Sequence, residues 1–168
     1  GLFGCLGAGA SVTALVLDDV MVQGMGNRVV AFAGSSEGSV VSSSATGVVA
    51  AYSSTGGLVG WNGGSVVDCH IAGAVSGTWG TGGVVGHNRG SITACSNTAT
   101  VTGDENSYDT GGLAGRNTGT IADCTTAGEV SGANYVGGLV GTNEGGIRAS
   151  GMTGRISGKA YVGGLGVA

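Results

Sequence analysis

Set in rows of about 26 residues, the apolar positions of this chain fall into columns. One column holds Phe32, Leu58, Val84, Leu113, Leu139 and Leu165. A second holds Val40, Val66, Ile92, Ile121 and Ile147, and a third Val49, Val75, Val101, Val130 and Ile156. Each apolar residue is flanked by small or polar ones, the period-two pattern of a strand with one buried face. Other positions vary freely from row to row, as in Asp68, Ala94, Asp123 and Ala149, or Ala74, Thr100, Glu129 and Arg155. No stripe of period 3.6 is present, and glycine recurs too often for a stable helix. The three columns predict three short strands per row.

Glycines set the rows. GGLVGWNGGSVVDCHIAGAVSG (56–77) recurs with variations from Gly82, Gly111 and Gly137, and a last GGLG begins at Gly163. The second glycines lie at Gly57, Gly83, Gly112, Gly138 and Gly164, spaced by 26, 29, 26 and 26 residues. Short apolar runs with glycine corners at this period are the mark of a solenoid, which gains stability turn by turn. Equivalent strands of successive turns then pair in parallel, ~4.8 Å apart, and right-handed winding is the default for parallel crossovers. The expected fold is all-β, a right-handed parallel β-helix (β-solenoid) of about six to seven rungs. Two glycine series are assigned to corners: Gly60, Gly86, Gly115 and Gly141, and Gly64, Gly90, Gly119 and Gly145. There, positive φ or close backbone approach excludes a side chain.

Residues 1–168 read as one solenoid segment. Residues 1–26 form a divergent first rung and 27–51 a degraded second one, in which AFAGSSEGSV (31–40) matches GLVGWNGGSV (57–66). Residues 52–158 supply four regular rungs, and 159–168 begin another. The insertion DENSYD (104–109) falls at a junction between rungs, a frequent place for binding residues. Because the sequence starts and stops inside a repeat, it is expected to be part of a longer polypeptide.

Composition removes several classes. Glycine at 39 residues, without a Gly-X-Y period and with no proline, is not collagen. With 41% hydrophobic and 10% charged residues, the chain is also unlike a disordered one. A net charge of −4 with six Lys and Arg offers no basic face, so no nucleic-acid partner is expected. No apolar run reaches the ~18 residues of a membrane span, and GLFGCLGAGA lacks the charged start of a signal peptide.

The unit GGLVGxNxGxI…C…V(S/T)G resembles the GLUG repeat, and the opening GLFG…GASVTALVLDDVMV is similar to the rung that often precedes such arrays. The resemblance implies a segment of a large bacterial surface or secreted protein. Such repeats occur in adhesin-like and filamentous-haemagglutinin-like proteins and in some immunoglobulin A-cleaving metallopeptidases. In those peptidases a separate zinc domain carrying HExxH does the chemistry. Here only His70 and His87 are present and that motif is not, so no catalytic role carries over.

Four groups of residues are candidates for a role. Asn62, Asn88, Asn117 and Asn143 share a column in which stacked amides can bond along the axis, more as a corner ladder than as a ligand row. Cys69, Cys95 and Cys124 form another, with Ser43 and Ser150 at its ends. Parallel Cβ vectors one strand apart fit a disulfide poorly and no CxxC pair exists, so buried free thiols are expected. Trp61, His87, Arg116 and Thr142 follow a corner glycine and should point outward, with Arg116 able to stack on His87. Trp79, Tyr108, Tyr135 and Tyr161 precede the glycine doublets and form a candidate aromatic strip for a glycan or protein ligand. Glu129 and Arg155 share a column and are placed to pair. The acids of 18–19 and 104–109 lack a calcium-loop register, and no cofactor or metal is expected.

These features favour a non-catalytic structural and adhesive module, extracellular or on the bacterial cell surface, with outward columns as contact surface. A second reading is a fibre subunit stacking head to tail through open solenoid ends. The third is a carbohydrate-active β-helix enzyme, for which Asp68 and Asp123, two rungs or ~9.6 Å apart by strand spacing, would be the nearest paired carboxylates.

Overall fold

The computed structural model describes residues 1–164 and the backbone of 166–167; Leu165, the last member of the first apolar column, lies outside the described residues. Among the described residues there is no helix, and the chain winds as a parallel β-solenoid of about 6 turns. Three sheets run along the rod. The first face stacks Phe3–Leu6, Ala33–Ser36, Val59–Asn62, Val85–Asn88, Ala114–Asn117, Val140–Asn143 and Gly166–Val167 in that order. The second stacks Ser11–Thr13, Ser39–Val41, Ser65–Val67, Ser91–Thr93, Thr120–Ala122 and Gly146–Arg148. The third face is longer than a short strand. His70–Gly82 runs 13 residues, and its pairing with Thr100–Gly111 shifts between Gly77 and Trp79, where the extra residues of that turn are absorbed.

Like lies over like. Val85 pairs with Val59 and Ala114, Ile92 with Val66 and Ile121, and Val75 with Val49 and Val101. Phe32, Leu58, Val84, Leu113 and Leu139 are fully buried, as are Val40, Val66 and Ile92. The first face also buries Val59, Val85, Ala114 and Val140, so two successive residues face inward at each glycine doublet. This stacked interior supplies the hydrophobic stabilisation.

At both glycine series it is close backbone approach, and not positive φ, that excludes a side chain. Gly60, Gly86, Gly115 and Gly141 lie inside first-face strands rather than at corners, because the preceding segment folds across their outer side. A Cβ on Gly86 would sit 2.5 Å from the Ser54 carbonyl carbon and 2.7 Å from the Gly60 oxygen. Gly64, Gly90, Gly119 and Gly145 do turn the first face into the second, and there close approach is again the constraint. The left-handed corners fall elsewhere. Ala14, Ser42, Asp68, Ala94, Asp123 and Ala149 (φ 46–56°) turn the second face into the third. Arg28, Ser54, Gly80, Asp109, Tyr135 and Tyr161 turn the third into the first. The Asp68 column is therefore a corner and not a strand position. Non-glycine residues carry it at a cost of about 1–2 kcal/mol each.

Among the polar columns of the interior, one consists of threonines. Thr55, Thr81 and Thr110 lie in register and fully buried, and their hydroxyls find no protein partner. Val136 occupies the next position of the same column. Thr81→Val keeps the branched shape and removes an unpaired buried hydroxyl, so it should stabilise the fold by about 1 kcal/mol. The expected readout is a higher urea midpoint at unchanged slope.

Candidate functional site

The asparagine column turns inward. Asn62, Asn88 and Asn117 are fully buried at the ends of first-face strands. Each Nδ2 donates to the Oδ1 of the next turn: Asn62 to Asn88 at 2.8 Å, Asn88 to Asn117 at 2.7 Å and Asn117 to Asn143 at 2.8 Å. The same amides also reach corner carbonyls, such as Gly90 at 3.3 Å from Asn88 and Gly145 at 2.9 Å from Asn143. The ladder thus ties the corner of each turn to the next. At its lower end Ser36 is too short to continue it, and both Ser36 Oγ and Asn62 Oδ1 are buried without a partner.

The cysteine column repairs a corner. Each residue follows a left-handed one, and its N–H bonds to a side chain of the next turn in place of a backbone carbonyl. Cys69 N–H donates to Cys95 Sγ and Cys95 N–H to Cys124 Sγ, both at 3.4 Å. Cys124 N–H donates to Ser150 Oγ at 3.1 Å and Leu15 N–H to Ser43 Oγ at 3.1 Å. Serine can therefore close both ends of the column because a hydroxyl accepts the same bond. Cys69, Cys95 and Cys124 are buried free thiols, and Cys5, at the Trp61 position, is an exposed one. Hydrogen bonds to Cys124 and Cys69, together with burial, push the Cys95 thiol up and hold it protonated. Thiols so enclosed have little access to an oxidant.

Two outward features lie on neighbouring parts of the surface. Trp61, His87, Arg116 and Thr142 are in register on the outer side of the first face. Arg116 lies beside His87 in register and pairs with Glu144, and the cations over Trp61 are Arg28 and Arg89, 5.9 and 5.6 Å from the ring centroid. Periodicity alone conceals this cluster, because its three residues occupy different columns. Glu129 and Arg155 also fail to pair: among the described residues the ion pairs are Arg116–Glu144 and Arg148–Asp123. Asp68 accepts from Ser42 Oγ at 2.9 Å, so neither corner aspartate is held toward the other.

The aromatic strip assembles as a ladder. Trp79 stacks on Tyr108 (4.7 Å between centroids, 11° between planes), and Tyr135 stacks on Tyr161 (4.8 Å, 5°). Tyr108 and Tyr135 meet at 6.0 Å and 34°, because the strip steps one residue along the chain there: Tyr108 pairs with Asn134, not Tyr135. Each ring gives one face to a stacked partner.

His87 is half-buried between Trp61 and Arg116 in the outer first-face column. Burial first, and then the Arg116 and Arg89 charges, lower its pKa, against opposing contributions from Asp109 and Glu144. The unfolded chain therefore takes up the proton before the folded one does. Stability should fall as pH drops below ~6.5, the ordinary histidine value, toward the lower folded value. Melting temperatures at pH 7.5 and 5.5 should differ less for His87→Gln than for the parent chain.

Fold and surface define a β-solenoid repeat module with structural ladders inside and two residue clusters outside. The GLUG motif profile matches residues 77–102, in agreement with the resemblance read from the sequence. No curated protein matches the chain. Among solved structures, it is similar to a "putative immunoglobulin A1 protease from Bacteroides ovatus", with 19% identity and a TM-score of 0.66. The match covers 88% of this chain and 57% of that one, so the chain spans little more than half of that protein's length. At this identity the likeness establishes the fold. Among the described residues no helix is long and apolar enough to cross a membrane.

Proposed function

We propose that the chain is a non-catalytic rigid segment of a secreted or cell-surface bacterial protein, holding other parts of that protein at a distance and making contact through its outer first face. The observation that carries this is the unbroken run of first-face strands, six of them in register from Phe3–Leu6 to Val140–Asn143, with the asparagine ladder beneath them. A stack tied at the sheets, the corners and the core resists bending. The GLUG match and the likeness to the Bacteroides ovatus protein support the placement outside the cell. The aromatic ladder is assigned to stiffening, since each of its rings gives a face to a stacked partner.

A rung deletion tests the rod. Removing residues 57–82 joins Gly56 to Gly83 in the same register, and should shorten the particle by about 4.8 Å, one strand spacing. Small-angle scattering reads this length, and a β-type circular dichroism spectrum should persist. Collapse of the fold would count against independent stacking of turns. The purified chain should also leave immunoglobulin A1 intact; cleavage would overturn the non-catalytic reading.

A further inference from the structure

The surface around Trp61 carries chemistry that a rod does not need. Cations are scarce here, six Lys and Arg against ten Asp and Glu. Three of them are occupied: Arg116 by Glu144, Arg148 by Asp123, and Lys159, whose Nζ donates to the Glu105 carbonyl at 3.1 Å. Arg28 and Arg89 instead converge on one indole. They come from different turns. Asn27 bridges to Ser53, which sets Arg28 one turn before Trp61, and the pairing of Asn88 with Asn62 sets Arg89 one turn after it. Among the described residues neither guanidinium has a carboxylate within ion-pair distance.

On the Arg28 side runs an open groove of about 490 Å³, bordered by Cys5, Asn27, Arg28 and Ser35 over a floor of Gly4 and Gly34. It exists because the Trp61 column continues as Ser35 and Cys5, side chains too small to fill it. The elements present are two guanidiniums, an aromatic surface and neutral hydrogen-bonding groups. A guanidinium fork matches a carboxylate or sulfate, and an indole gives flat apolar area with a polar edge. The turns that carry Arg28 and Arg89 are two strand spacings apart, ~9.6 Å, so the two cations suit acid groups that recur along a polymer. An acidic peptide is the poorer fit. Interior first-face strands are hydrogen-bonded on both sides, leaving no free edge at Trp61 for strand addition. Two cations are also too few to track a nucleic-acid backbone.

We infer that Arg28, Trp61 and Arg89, with Asn27 and Ser35 along the groove, form a binding site for an acidic polysaccharide whose sugar rings carry carboxylate or sulfate. The inference rests on the outer first face being the contact surface of the rod.

The test uses the whole chain carrying Trp79→Phe, so that Trp61 is the sole tryptophan and its emission reports the site. Oligogalacturonate supplies carboxylates, a sulfated dextran oligomer sulfates, a malto-oligosaccharide neutral rings, and poly-glutamate the same charge on a peptide. Saturable change in emission is expected with an acidic oligosaccharide and none with the neutral one; the tighter of the two acids names the group recognised. Arg28→Gln and Arg89→Gln should each weaken binding at least tenfold, with melting temperatures unchanged because both side chains are exposed. Raising salt from 0.05 to 0.5 M should also weaken it. The assignment fails if neither acid saturates, if the arginine variants bind as the parent does, or if poly-glutamate binds as tightly as the oligosaccharides. None of these failures bears on the length of the rung-deleted rod, so the two readings stand or fall separately.

Discussion

Gly90→Ala is expected to destabilise the solenoid by about 4 kcal/mol, in the range reserved for a few severe mechanisms. Gly64, Gly90, Gly119 and Gly145 stack at the corner between the first and second faces. A Cβ on Gly90 would sit 1.9 Å from the Gly64 carbonyl oxygen, and one on Gly64 would sit 1.9 Å from that of Gly38. The obstacle is backbone of the neighbouring turn, so no rotamer change relieves it. To admit the methyl group the two turns must part. That would strain the bonds from Ser91 N–H to Gly64 O at 2.9 Å and from Gly90 N–H to Asn62 O at 3.1 Å, with the adjacent amide ladder. Backbone conformation is not the cause, since φ at Gly90 is not positive. Gly146→Ala is the control, because its nearest neighbour would be Thr120 Cγ2 at 3.9 Å. Denaturant unfolding of both variants measures the difference. A Gly90 variant within about 1 kcal/mol of the control would show that the corner yields more easily than close packing implies.

This corner also marks how far the sequence can be read. The inward columns were legible because a solenoid repeats one environment every turn, so Leu58, Val84, Leu113 and Leu139 report the same site four times. The asparagine and cysteine columns were legible for the same reason. The left-handed corners were not, because short side chains such as those of Ala94 and Asp123 tolerate φ near 55° while glycine is spent where turns touch. A rule that reads glycine as a positive-φ corner then points to the wrong place. The Arg28–Trp61–Arg89 cluster was hidden for another reason. Its members come from three columns and three turns, and its long side chains choose partners by reach and charge rather than by register. The pairing of Arg116 with Glu144, 28 residues on, was hidden likewise, since a guanidinium fork is drawn to a carboxylate within its reach. Periodicity resolves what the backbone repeats and loses what the surface improvises.

Asn88→Leu should cost about 3 kcal/mol, although leucine is close to asparagine in size and more apolar. Asn88 is fully buried, and it both accepts from Asn62 and donates to Asn117. Replacing it leaves Asn62 Nδ2 with only its longer contacts to the carbonyls of Gly64 (3.4 Å) and Ser91 (3.3 Å), and leaves Asn117 Oδ1 without its donor. A buried polar atom that loses its partner keeps its desolvation penalty, which is why the loss exceeds the worth of one bond. The lower end of the ladder permits the opposite experiment. Ser36 is paired in register with Asn62, and Ser36 Oγ and Asn62 Oδ1 are both buried and unpartnered. Ser36→Asn supplies the missing donor, with the Gly38 carbonyl placed as Gly64 is for Asn62, and should stabilise by about 1 kcal/mol. Combining the two substitutions asks whether the ladder acts as one unit. Sites with no shared partner add to within ~0.5 kcal/mol, but these two meet through Asn62, and a chain of amides polarises along its length. The gain from Ser36→Asn should therefore shrink when Asn88→Leu is present. Strict additivity would mean that each turn is tied to the next by an independent bond.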